Sequence, residues 1–219
     1  MNKLIFVLGA GGHASVLVDI LKQHKMTISG LFSKEGSISR SALSDIPTFN
    51  DEDEIFQSDH DAVSIVNGIG SLPSSSLRTK LYRKFHEQGY SFLQVISPKA
   101  LVSNFATLGE GVQVMPGAII QAGATIGDNT IINTGAIIEH DCVIGNHCHI
   151  APGVTLSGQV TIGDFVHIGT GANVIQNVSI GDEAIIGAGA NIINSVSARS
   201  TVFGIRAEVK NNEVNESQA

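Results

Sequence analysis

Counted in sixes from Ile96, the chain places Ile, Val or Leu at every sixth position through Ile192, 17 times without an insertion. Four residues after each comes Ala, Val, Cys or Thr, from Ala100 to Val196, again 17 times. Glycine adds a longer period: Gly109, Gly127, Gly145, Gly163 and Gly181 are 18 apart, and so are Gly117, Gly135, Gly153, Gly171 and Gly189. Six inside 18 predicts a triangular coil of three short strands per turn. The aliphatic residue points inward, the small residue fits near a corner, and glycine stands where the chain bends or the next layer passes close. Residues 96–197 supply between five and six coils, a prism roughly 27 Å tall at ~4.8 Å per strand layer.

The N-terminal pattern is different. Lys3–Leu8 reads as a buried strand, followed by the turn Gly9-Ala10-Gly11-Gly12-His13-Ala14. An amphipathic helix over 14–24 carries Leu17, Ile20 and Leu21 on its apolar face. Strands are expected over 28–32 and 62–66, then the turn Asn67-Gly68-Ile69-Gly70. A second helix over 77–88 has Leu77, Leu81 and Phe85 in line, and a short strand over 92–96 leads into the prism. This is an α/β, Rossmann-like βαβ unit. The expected division is 1–92, then 93–207, then a polar tail over 208–219.

Composition sharpens the picture. Of 219 residues 42% are hydrophobic and 15% charged, enough apolar content for a real core. A net charge of −7 argues against a nucleic-acid binder, which needs a basic face. No apolar run approaches ~18 residues, so no membrane insertion is expected. The short apolar start reads as a strand and not a signal peptide, and two cysteines make no disulfide framework; a cytoplasmic protein is expected. The 24 glycines and absence of Trp suit a narrow prism.

The glycine turn before a helix can cradle an anion, since backbone N–H groups and the helix dipole both favour negative charge. A dinucleotide site also wants an acidic residue ~20 positions on. Phe32 and Ser33 stand there, with Glu35 the nearest carboxylate. A nucleotide sugar or sugar suits the turn better than NAD(P), and a purely structural turn is the bland alternative. His140 is third in its hexad, so it projects near a corner, and Gly158 holds the equivalent place in the next coil, leaving room beside it. Imidazole suits a general base at working pH; the alternative is an exposed corner residue. His149 and His167 stack in successive coils and read as a metal site, a ligand contact or an interface pair. Zinc needs three protein ligands, which this spacing does not offer, and the histidine spacing of gamma-class carbonic anhydrases is not matched. His24, His60 and His86 read as solvated, and His147 lies at a hexad turn. Cys142 and Cys148 fall at the small inward position and read as core fillers, facing different sides of the triangle.

The hexad array resembles the hexapeptide-repeat, left-handed parallel β-helix. With the Gly-Gly-His turn ahead of it and Glu139-His140-Asp141-Cys142 within it, the chain resembles the bacterial sugar O/N-acetyltransferases over about residues 2–207. The resemblance implies acetyl-CoA as donor, a homotrimer, active sites between neighbouring prisms, and direct attack on the thioester with no metal. It implies N-acetylation of a nucleotide-linked 4-amino-4,6-dideoxy sugar for surface glycans, or O-acetylation of sialic acid or a related sugar; a silent β-helix scaffold is the reading from another class. His140 matches the general base and Asp141 the acidic residue that supports it. His149, Thr170 and Ala188 match acetyl-CoA contacts, with Gly158 beside them. Gly11, Gly12, His13 and Gly68 or Gly70 match nucleotide-sugar contacts, and Asn133 a polar contact near the site. Two departures stand out: Phe32-Ser33 replaces the family's usual acidic pair, and Gly204-Ile205-Arg206-Ala207-Glu208 replaces its Gly-Val-Pro-Ala-Lys ending.

Overall fold

The computed structural model describes residues 3–33, 40–73 and 75–205. Glu35, the residues Arg206–Glu208 and the polar tail lie outside them. The first unit is a five-stranded parallel sheet built from β1 (Leu4–Leu8), β2 (Gly30–Phe32), β3 (Thr48–Phe49), β4 (Val63–Asn67) and β5 (Ser91–Phe92), in the order β3-β2-β1-β4-β5. Helices α1 (Gly12–Gln23) and α2 (Leu77–His86) connect them. The expected strand over 92–96 is two strands: Phe92 ends the first sheet, and Val95–Ile96 starts the prism. The short β3 carries too little pattern to be read from sequence.

Helix α2 lies a step round from the expected face. Leu77 is 49% exposed, whereas Arg78, Tyr82 and Phe85 are buried. Aromatic packing selects this face: Tyr82 lies 4.5 Å from Phe92 and Phe85 lies 5.9 Å from Tyr90. The rotation puts the Arg78 guanidinium inside, where backbone carbonyls satisfy it. Phe32, at the end of β2, is also core: it is 5% exposed and stacks on Phe49 at 5.2 Å.

From Val95 onward, three parallel sheets form the faces of a prism. The first face runs from Val95–Ile96 through Gln113–Val114, Ile131–Ile132, His149–Ile150 and His167–Ile168 to Thr201–Val202. The second runs from Leu101–Val102 to Asn191–Ile192, and the third from Thr107–Leu108 to Ser179–Ile180. Each strand pairs with its equivalent in the next coil, as Ile131 with His149 and Ile137 with Thr155. The inward aliphatic residues from Val114 to Ile192 are all buried, and so are Ala118, Ala136, Cys142 and Cys148.

The two glycine series have different causes. Gly117, Gly135, Gly153, Gly171 and Gly189 occupy positive φ at one set of corners. Gly127 is small because a Cβ there would sit 2.7 Å from Asn146 Oδ1. That oxygen accepts from the Asp128 N–H at 2.8 Å, one rung of a ladder in which Asp128, Asn146, Asp164 and Asp182 each take the backbone N–H of the coil below. The repeat slips at its end. Val196 bridges Ile180 before a full coil is complete, so it takes an aliphatic slot and not the expected small one.

The first unit packs on the first face, where Met115 and Ile131 join the core of Val7, Leu17 and Leu21. His24 is exposed, as expected of a solvated group, and pairs its Nε2 with the Ile96 carbonyl at 2.7 Å at the rim of this joint. No helix among the described residues is long and apolar enough to cross a membrane.

A stack this regular is intolerant of voids. Ile150→Ala, at a fully buried position, should cost about 2–5 kcal/mol, while Ile193→Ala, 64% exposed, should stay within about 0.5 kcal/mol. Urea denaturation of both variants measures the difference, and equal losses would contradict an inward-packed prism.

Candidate active site

His140 and Asp141 sit on the edge between the second and third faces, in the turn after Ile138. Asp141 has φ 59°, a left-handed turn conformation that Asp tolerates better than most side chains. The turn brings its Oδ2 to 2.9 Å from His140 Nδ1. The carboxylate can only accept, so in the neutral ring Nδ1 carries the hydrogen and donates it to Asp141, and Nε2 has the free lone pair. Gly158, one coil on, is what makes room: a Cβ there would lie 2.5 Å from His140 Nε2. Both His140 and Asp141 are more than half exposed, at 59% and 58% of their side chains. The pair thus presents an acceptor to open space at a prism edge.

A second group of expected residues gathers elsewhere. Asn133 lies past Ile132, at the edge between the first and second faces, and its Nδ2 is 3.0 Å from His149 Nε2. Its Oδ1 accepts from the Thr134 N–H at 2.8 Å, which fixes the amide's orientation. His149 Nδ1 stands 3.3 Å from His167 Nδ1. Burial pushes the His149 imidazole down to about 3, helped by the neighbouring His167, His13 and Arg78; His167 is also lowered by burial. Thr170 and Ala188 are exposed at the same edge, one coil apart, with the Gly189 N–H donating to the Thr170 carbonyl at 2.9 Å. The stacked histidines do not form a free outer surface, because they face the first unit. Among the described residues the grouping of potential metal ligands is the exposed Asp59, His60 and Asp61, away from both histidines.

The glycine turn divides by role. Gly11 has open space around its Cα, and Gly12 has only the Arg40 guanidinium, 3.7 Å from where a Cβ would be. Gly11 caps α1 with no side-chain hydrogen bond, so the first-turn N–H groups are not served by a side-chain cap. Gly68 is small for packing: a Cβ there would meet the Leu8 carbonyl at 2.6 Å. Gly70 is open, with only the His13 side chain nearby at 3.6 Å. The glycines with room for a ligand are therefore Gly11, Gly12 and Gly70.

Sequence reasoning missed the cluster behind this turn. Arg78 donates from Nη1 to the carbonyls of Asn67 (2.9 Å) and Ile69 (2.7 Å), and from Nε and Nη2 to that of Asn129 (3.3 and 3.2 Å). Gln113, fully buried, donates to the Asn67 carbonyl at 2.8 Å and meets His13 Nε2 at 2.7 Å. Gln113 shares its strand position with Ile131, His149, His167 and Ile185, so its being polar did not single it out in the sequence. His147, at its hexad turn, pairs with Asn129 at 2.9 Å and stacks on Phe165. Cys142 and Cys148 are free, buried and poor nucleophiles, with burial raising both thiols and taking Cys148 to about 12.

The chain matches two family descriptions: the PglD N-terminal domain over residues 4–85, and the bacterial transferase hexapeptide over 105–138 and 123–158. It is similar to perosamine N-acetyltransferase from Caulobacter crescentus, whose structure holds CoA and GDP-perosamine: 33% identity, TM-score 0.83, covering 95% of this chain and 97% of that one. The acetyltransferase domain of PglB from Neisseria gonorrhoeae, solved with acetyl coenzyme A, is 29% identical with TM-score 0.82 over 93% of this chain and 97% of its own. WeeI from Acinetobacter baumannii is 27% identical with TM-score 0.80 over the same shares. No curated protein sequence is significantly similar to the chain.

The buried imidazoles make stability depend on pH. Burial holds His13 at about 4, with Arg78 adding to the effect, and His149 at about 3. An unfolded chain binds protons at these sites below ~6.5 while the folded chain does not, so stability rises with pH. Between pH 6.5 and 5, where carboxylates remain ionised, each should cost about 1–2 kcal/mol as pH falls. Urea midpoints across that window, compared with His13→Gln and His149→Gln, measure it; a flat wild-type profile would contradict neutral burial.

Proposed function

The chain belongs to the hexapeptide-repeat sugar acetyltransferases, and on that footing we propose that it transfers acetyl from acetyl-CoA to the amine of a nucleotide-linked amino sugar of the 4-amino-4,6-dideoxy type. The observation that carries the reading is the His140–Asp141 pair, 2.9 Å apart, with the imidazole lying in the space that the missing Gly158 side chain leaves. An amine attacking a thioester must shed a proton as the C–N bond forms. His140 Nε2, which bears the free lone pair of the neutral ring whose Nδ1–H donates to Asp141, accepts it. Asp141 keeps the ring oriented and stabilises the imidazolium that forms. The same proton then goes to the departing thiolate. Both cysteines are buried core residues, so direct attack accounts for the reaction with no acyl-enzyme. The tetrahedral oxyanion needs a donor, and a backbone N–H at the adjoining edge can supply it.

The site extends over two chains in this reading. His140 occupies the edge between the second and third faces, opposite the first face that carries the glycine turn. Asn133, His149, Thr170 and Ala188 belong to the first face and its border with the second. A homotrimer that sets one chain's His140 edge against a neighbour's first face reunites them. The diphosphate rests over Gly11, Gly12 and the first turn of α1, where backbone N–H groups favour an anion. Arg40, beside Gly12, adds a positive charge. Acetyl-CoA follows the edge marked by Thr170 and Ala188. Binding energy from the nucleotide then holds the amine for attack.

His140→Ala should lower kcat by about 10²–10⁴ with little change in melting temperature, since this residue is outside the core; activity within about threefold of wild type would remove His140 from the mechanism. Asp141→Asn should cost less. Assays with UDP- and GDP-linked amino sugars, and mass spectrometry of the product before and after mild alkali, separate a stable amide from a labile ester.

Gly12→Val fills space above the turn without a backbone clash. It should raise KM for the nucleotide sugar strongly and spare that for acetyl-CoA. The reverse pattern would assign the turn to CoA phosphates.

A further inference from the structure

The buried cluster between the two units determines which nitrogen of His13 carries its proton. The Asn67 carbonyl can only accept, and Gln113 reaches it at 2.8 Å, so the group facing it is the Gln113 amide nitrogen. The Gln113 oxygen is then the atom 2.7 Å from His13 Nε2. An oxygen acceptor requires a donor, so the proton lies on Nε2 and Nδ1 carries a bare lone pair. The arrangement has no slack. Gln113 and Asn129 are fully buried and Asn67 is 1% exposed. Asn67 Nδ2 donates to the Arg78 carbonyl at 3.0 Å and to Asn129 Oδ1 at 3.2 Å. The charged and titratable groups around the ring are Arg78 from α2, His149 from the first face and Arg40 near Gly12. None is a carboxylate, and burial together with the Arg78 charge outweighs the Gln113 hydrogen bond, which alone favours a second proton. Gly70, which lies against His13 with no side chain of its own, leaves the ring approachable from the turn.

We propose that His13 is a specificity-determining residue: its neutral Nδ1 accepts a hydrogen bond from an O–H or N–H of the substrate's sugar, and it does not bind the phosphates. This rests on the sugar-acetyltransferase reading, and it separates two neighbours in the Gly-Gly-His turn. The glycines meet the anionic part of the ligand, and the histidine meets a donor on the hexose.

The test uses the full-length protein labelled with ¹⁵N-histidine. Long-range ¹H–¹⁵N spectra from pH 6 to 8, with the His13 signals identified by their loss in His13→Gln, report tautomer and charge directly. The expected result is a neutral Nε2–H ring throughout, with the Nδ1 resonance moving when a UDP- or GDP-linked 4-amino-4,6-dideoxyhexose is added. An imidazolium, an Nδ1–H tautomer, or an Nδ1 resonance unmoved by both nucleotide sugars would overturn the proposal. In steady-state assays His13→Gln keeps a donor toward Gln113 but removes the Nδ1 acceptor. It should raise KM for the nucleotide sugar about tenfold and leave that for acetyl-CoA unchanged. His13→Asn, which places an amide near the Nδ1 position, should recover part of the loss. A wild-type KM that climbs from pH 6 to 8 would instead indicate a cationic phosphate contact and overturn the assignment. If the spectra and ligand shifts are as expected but no acetyl transfer is found, the reaction assignment fails and the His13 assignment stands.

Discussion

Everything in this protein depends on the inward column of aliphatic side chains that recurs with every hexad. Each layer buries its Ile, Val or Leu against the equivalents one coil before and after, and the small residues pack between them. Such a stack has no freedom to rotate one coil against the next, because a shift of one residue exchanges inward and outward positions. Outward residues therefore inherit fixed neighbours. His140 meets the Gly158 backbone, His149 meets His167, and Asp128 meets Asn146, each pair one coil apart. A site on such a frame needs little side-chain packing of its own to hold its geometry, which accounts for a well-placed His140 on an exposed edge.

The join between the two units follows different physics. It is polar and buried, with a guanidinium among carbonyls and no opposing carboxylate among the described residues. An arrangement of this kind is poor as a source of stability, since desolvating the charge is costly. It is directional, however, and every hydrogen bond in it restricts where the 67–70 turn and His13 can stand relative to the prism. Burial, with the Arg78 charge adding to it, depresses the nearby imidazoles, so the histidines at this joint act as neutral hydrogen-bonding groups. The solvent-exposed His140 instead has a carboxylate 2.9 Å from its Nδ1.

This difference also explains what could be read from the sequence. A period repeated 17 times announces the prism, its faces and the position of His140, because the geometry is local and repetitive. Gly158 was legible for the same reason. The orientation of α2 was not: Leu77, Leu81 and Phe85 make a plausible apolar face, and only the packing of Tyr82 against Phe92 turns Arg78 inward. Gly68 and Gly70 look equivalent in sequence, yet one is small to clear the Leu8 carbonyl and the other is open. The bonds of Gln113 to Asn67 and His13 join positions far apart along the chain and in different units. No local pattern marks such partners, whereas the shortened final coil does leave a trace: the aliphatic register breaks after Ile192 and resumes six apart at Val196 and Val202.

The central claim is that one site is assembled from the His140 edge of one chain and the glycine turn of another. Coexpression of His140→Ala and Gly12→Val chains under separate affinity tags, with purification of the mixed oligomers, tests it most directly. Neither parent should turn over substrate at low nucleotide-sugar concentration. Mixed oligomers should recover activity well above the sum of the two parents, because some interfaces pair an intact His140 with an intact turn. Mixed oligomers no more active than their parents would place both elements in one chain and contradict the account.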